Sequence, residues 1–97
     1  SIVPEKTVTN LFQLKIAPNP FHQETVIHYR LAKEAKVSLI IYDVNGRKVN
    51  TLVQEEWQLE GQYQYPLQLS SESGRLFYAV LQTGEEVICQ PLILQVN

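Results

Sequence analysis

Apolar and polar residues alternate with a period of two along most of this chain, the spacing that gives a strand one buried and one solvated face. From Glu24 to Leu31, Thr25, Ile27, Tyr29 and Leu31 share one parity while Glu24, Val26, His28 and Arg30 share the other, so the first set is expected to face a core. Val37, Leu39 and Ile41 repeat the pattern. Ile40, Tyr42 and Val44 make the opposite parity apolar as well, which predicts a central strand covered on both faces. Asp43-Val44-Asn45-Gly46-Arg47 then places residues that tolerate positive φ between two β-rich runs, a hairpin signal. Arg47 to Val53 reads as the return strand, with Val49 and Leu52 as its main apolar contacts at a spacing irregular enough for a bulge. Gln54 to Glu60 holds good helix formers but is too short for a stable helix and ends at Gly61, so a connecting loop is expected there.

Downstream, Tyr63, Tyr65, Leu67 and Leu69 alternate with polar residues and Pro66, and that proline assigns the strand to a sheet edge. Ser70 to Gly74 reads as a turn. Leu76 to Leu81 is apolar on both parities, as for a strand between two layers. Thr83-Gly84-Glu85 closes a hairpin into a last segment, Glu86 to Val96, which Pro91 marks as another edge. With Phe12 to Ala17 the count is seven strands with frequent turn signals. The expected fold is all-β, a seven-stranded immunoglobulin-like antiparallel β-sandwich over residues 11–97, preceded by a linker over residues 1–10 that joins it to something upstream.

Composition narrows the function classes. The 97 residues are 44% apolar and 19% charged, enough for one core and too apolar for disorder. The net charge of −2 and the scattered basic residues exclude the electrostatic footprint of a nucleic-acid binder. No apolar run approaches the roughly 18 residues of a membrane span, so direct membrane insertion is not expected, and an export signal is expected outside the sequence. The single cysteine, Cys89, sits among apolar neighbours and is expected to be buried. A monomer is expected.

Pro18-Asn19-Pro20-Phe21 has a physical reading of its own. The prolines fix φ, lack an amide donor and push Ala17 and Asn19 towards extended backbone, while Phe21 can anchor the resulting kink to the core. Such a kink lets the first strand cross from one sheet to the other. Five motifs then stand in order: Phe12-Gln13-Leu14 leading into Pro18-Asn19-Pro20-Phe21, the strand Thr25 to Leu31, the turn Tyr42 to Val49, Gly61-Gln62-Tyr63, and a final hairpin over Phe77 to Leu94. Together they resemble the C-terminal sorting domain of the type IX (Por) secretion system. The resemblance implies a secretion and sorting signal with no chemistry of its own. It also implies cargo passing the periplasm of a Gram-negative bacterium to the cell surface, an outer-membrane translocon and a surface sortase as partners, and cleavage or other processing there. The chain departs from the family pattern at Gly74 to Tyr78, displaced by one residue, and at Gln90-Pro91, where a basic residue is common. The recognition surface expected on this reading combines the final hairpin, including Leu92, Ile93, Leu94 and Val96, with Pro18, Asn19, Pro20 and Phe21. Gly46 and Arg47 are added at the turn, where Arg47 serves either recognition or the turn itself.

Other chemistry finds little support. His22 and His28 have only Glu24 near them in sequence, short of the three or four convergent ligands that a metal needs, and no cofactor is implied. Asp43 and Asn45 lack the further oxygen ligands of a calcium loop. No nucleophile or phosphate-loop motif occurs, so no enzyme is expected. The rival reading is an immunoglobulin-like or fibronectin-like module that binds carbohydrate or protein, with Trp57 as a platform. Against it, Trp57 is expected in a loop, capping one open end of the core.

Overall fold

The computed structural model describes residues 12–70, 74–84 and 86–95. The expected linker, the middle of the Ser70–Gly74 turn, Glu85 and Val96 lie outside them. The strands are β1 (Phe12–Ala17), β2 (Glu24–Leu31), β3 (Ala35–Asp43), β4 (Lys48–Gln58), β5 (Gly61–Gln68), β6 (Leu76–Gln82) and β7 (Val87–Ile93). They form two antiparallel sheets, one ordered β1-β2-β5 and the other β4-β3-β6-β7. Both prolines expected at sheet edges are there, Pro66 in β5 and Pro91 in β7.

The alternation decides which side chains meet. Ile27, Tyr29 and Leu31 of β2 and Leu67 of β5 join Val37, Leu39 and Ile41 of β3, Phe77, Ala79 and Leu81 of β6 and Leu92 of β7 in one buried cluster. At full burial each large apolar side chain contributes about 1.5–3 kcal/mol, so this interdigitation is the main force holding the sheets together. Tyr29 carries a polar group into it. Its hydroxyl donates to Gln58 Oε1 at 2.6 Å, Gln58 Nε2 donates to the Tyr65 hydroxyl at 3.0 Å, and the Tyr29 ring stacks on those of Tyr63 and Tyr65. Burial, with the neighbouring Tyr65 hydroxyl, pushes the Tyr29 phenol far above its ordinary range.

Five expectations need correction. Gln54 to Glu60 is no loop: β4 runs on to Gln58, and its register with β3 shifts between Val37 and Leu39 and twice more. At the first shift Glu55 takes a left-handed φ of 46° and its amide donates to Ser38 Oγ, so a bulge lets the strand continue. The bulges also make Val53 the buried apolar residue of β4, with Val49 and Leu52 only half-buried. Trp57 therefore lies on a strand, opposite Lys36, and is 61% exposed, so it caps no core. Cys89 is exposed, because its parity in β7 points away from Leu92. Finally, β3 and β6 are central, but the described residues cover only one face of each. Ile40, Tyr42, Tyr78 and Val80 are half-buried and Val44 stands exposed in the turn.

Candidate recognition edge and sheet face

The kink crosses between sheets as its prolines suggested. Both Ala17-Pro18 and Asn19-Pro20 are cis, and the Pro18 carbonyl accepts from the buried Thr25 hydroxyl at 2.6 Å. After β1 leaves the first sheet, Phe21 forms a parallel bridge with Leu94 of the second. Its amide donates to the Ile93 carbonyl at 2.9 Å, and its carbonyl accepts from Gln95. Asn19 extends that pairing with its side chain: Nδ2 donates to the Pro91 carbonyl at 2.9 Å, and Oδ1 accepts from the Ile93 amide at 3.0 Å. A side-chain amide thus occupies the place of a peptide group in a neighbouring strand. The kink and the end of the last strand form one unit, about 70 residues apart in sequence.

The recognition residues expected from sequence divide by burial. Pro18, Asn19, Pro20 and Ile93 are exposed, whereas Phe21, Leu92 and Leu94 are core residues at 2% exposure or less. Those three can present a surface only through the backbone they anchor. Gly46 and Arg47 are exposed in the β3–β4 turn, at the end of the sandwich where Asp43, Phe77 and Leu92 align across three strands. No described hydrogen bond joins them to the kink. Gly46 takes the left-handed φ of 82° that follows a tight turn, its amide donating to the Asp43 carbonyl. Asp43 Oδ1 accepts from the Asn45 and Arg47 amides and Oδ2 from Arg47 Nε. These bonds, the Arg47 amide first, hold the Asp43 carboxyl below its usual range. Arg47 thus has a turn-fixing role in the structure.

Sequence reading missed the outer face of the second sheet. Register places Ile40 beside Val80 and Cys89, Tyr42 beside Tyr78 and Pro91, and Leu76 beside Ile93. Val87, at 59% exposure, extends the same face. An apolar surface thus spans β3, β6 and β7 with no described element over it, the kind of patch that marks a docking site. The signal was present as apolarity on both parities, but it reads equally as double burial. The outer face of the first sheet is polar, with Lys15 opposite His28 and Arg30 between Gln13 and Gln62, around a groove of about 500 Å³. Trp57 stands apart, its indole Nε1 donating to Glu34 Oε2 at 2.8 Å. Among the described residues no three His, Cys, Asp or Glu side chains converge.

The model of the secretion system C-terminal sorting domain matches residues 15–95, which include the kink, both sheets and the final hairpin. The chain belongs to that family. It is accordingly a sorting domain of the type IX secretion system, a family defined by addressing cargo rather than by catalysis. No curated protein and no solved structure matches it.

Proposed function

We propose that this sorting domain carries no catalytic site and directs an attached cargo across the outer membrane through the type IX translocon, with processing at the cell surface. The observation that carries the proposal is the continuous apolar face over β3, β6 and β7, bordered by the edge that Asn19 and Phe21 bind. We assign the architecture to the immunoglobulin-like sandwiches. The first sheet matches three strands of the constant-type arrangement, and β4 has moved from that sheet to pair with β3 in the other. On this reading the translocon binds the face of the final hairpin, and the upstream cargo follows.

Deleting Leu92 to Asn97 would remove core as well as surface, since Leu92 and Leu94 are buried. A sharper perturbation is Leu76→Gln with Tyr42→Gln in the secreted parent. Both residues lie on the apolar face, on β6 and β3 rather than on the edge strand β7 itself. The domain should melt as a folded unit while the parent accumulates in the periplasm. Undiminished surface display would refute the assignment of this face. The intact mass of the displayed parent tests processing, because removal of the whole domain fits a cleaved signal and not a retained binding module built around Trp57.

A further inference from the structure

The last strand is an edge, yet only part of it is open. In antiparallel pairing the amide and carbonyl of one residue point to the same side, and successive residues alternate. Leu94 donates to the Arg75 carbonyl, which turns the even-numbered peptide groups of β7 towards β6. Val87, Cys89, Pro91 and Ile93 therefore turn theirs outward. Asn19 and Phe21 occupy the outward groups of Pro91 and Ile93. Val87 and Cys89 lie beyond the reach of those contacts, and both side chains are exposed.

Edges are ordinarily blunted by charge, proline, a bulge or a covering segment. The latched half of β7 has two of these, Pro91 and the kink. Among the described residues the half from Val87 to Cys89 has none, and no Lys, Arg, Asp or Glu occurs anywhere in β7. That open half also borders the apolar face through Val80, the partner of Cys89. We infer that Val87 to Cys89 is a strand-addition site, which receives a short extended segment of the secretion partner with apolar side chains at alternate positions.

The incoming segment bonds to the outward amides and carbonyls of Val87 and Cys89. Its outward side chains continue the surface made by Val80, Cys89 and Val87. Asn19 sets where the pairing stops, since beyond Cys89 the edge is already taken. The inference rests on the sorting role but specifies how the partner engages.

Proline separates the two ideas. At position 89 the amide points away from β6, so Cys89→Pro removes no ladder bond, and Pro91 shows that this parity of the same strand accommodates proline. The substitution deletes one outward donor and puts a ring in the path of an added strand. The 97-residue chain, fused behind an exported reporter in the host bacterium, should stay folded with Cys89→Pro and reach the surface at least about tenfold less. Cys89→Ser, which keeps the backbone, should be displayed normally. If Cys89→Pro melts the domain, Val87→Pro at the first strand position carries the same test. A folded proline variant displayed like the parent, while Leu76→Gln with Tyr42→Gln is retained, overturns strand addition alone. Normal display of all these variants overturns the assignment of the apolar face as well, and failure of the unsubstituted chain to bring the reporter to the surface would overturn the sorting role itself.

Discussion

Replacing Asn19 by alanine tests whether a side-chain amide holds the end of the sandwich closed. The change removes the bond from Nδ2 to the Pro91 carbonyl and the bond from the Ile93 amide to Oδ1. A net contribution of about 0.5–1.5 kcal/mol for each gives about 1–3 kcal/mol for the pair. Asn19 is exposed, so water can satisfy the freed groups, and the lower part of that range, about 1–2 kcal/mol, is expected. The adjacent backbone bonds of Phe21 to Ile93 and Gln95 persist, which keeps the loss local. At about 4–8 °C per kcal/mol for a domain of this size, the melting temperature should fall by about 4–15 °C. Calorimetry measures that shift, and amide hydrogen exchange locates it, with the Ile93 amide protected in the parent and exchanging in the variant. Asn19→Asp adds a discriminating control. It keeps the acceptor for Ile93 but sets a carboxylate against the Pro91 carbonyl, and should be no more stable than alanine. An unchanged melting temperature with Ile93 still protected would refute the clamp.

Three further outcomes follow from the core and the turn. Gly46→Ala meets no atom within 4 Å of the new Cβ, so its cost is the left-handed backbone alone, and a loss of about 1 kcal/mol in urea unfolding is expected. Tyr29→Phe keeps the ring stack but leaves the buried Gln58 Oε1 without its donor, which should cost about 1–3 kcal/mol in the same assay. The parent should also lose stability above about pH 10: the unfolded phenol releases its proton there while the folded one retains it, so unfolding gains as pH rises. In Tyr29→Phe that alkaline slope should flatten, by about 1.4 kcal/mol per pH unit.

Much of the fold was legible because one parity per strand carries it. Thr25, Ile27, Tyr29 and Leu31 face inward as their spacing indicates, and the turn at Asn45-Gly46 reverses the chain. The second half of β4 was not legible. Its bulge is built at Glu55, a residue type that rarely takes a left-handed φ, so neither a glycine nor a proline marks it. Cys89 was misread for a different reason. Its sequence neighbours are apolar, but burial in a strand follows parity, and position 89 shares its parity with Val87 and Pro91, away from the core. The Asn19 clamp needs two segments far apart in sequence to meet, which no local pattern encodes.

The two outer faces of the sandwich differ in a way that folding alone does not require. Either sheet could complete the core with a polar outer surface, and the first sheet does so with Gln13, Lys15, His28, Arg30, Gln62 and Gln64. The second sheet instead spends Ile40, Tyr42, Leu76, Tyr78, Val80 and Ile93 on a side that the described structure leaves open. Apolar residues there lower solubility and expose the chain to association. The proposed capture of this face by the secretion partner would give that liability a purpose. The latched kink then limits it along β7, because covering that edge from Pro91 to Gln95 leaves, among the described residues of the strand, Val87 to Cys89 open to an added segment, and so favours a short partner segment on this edge.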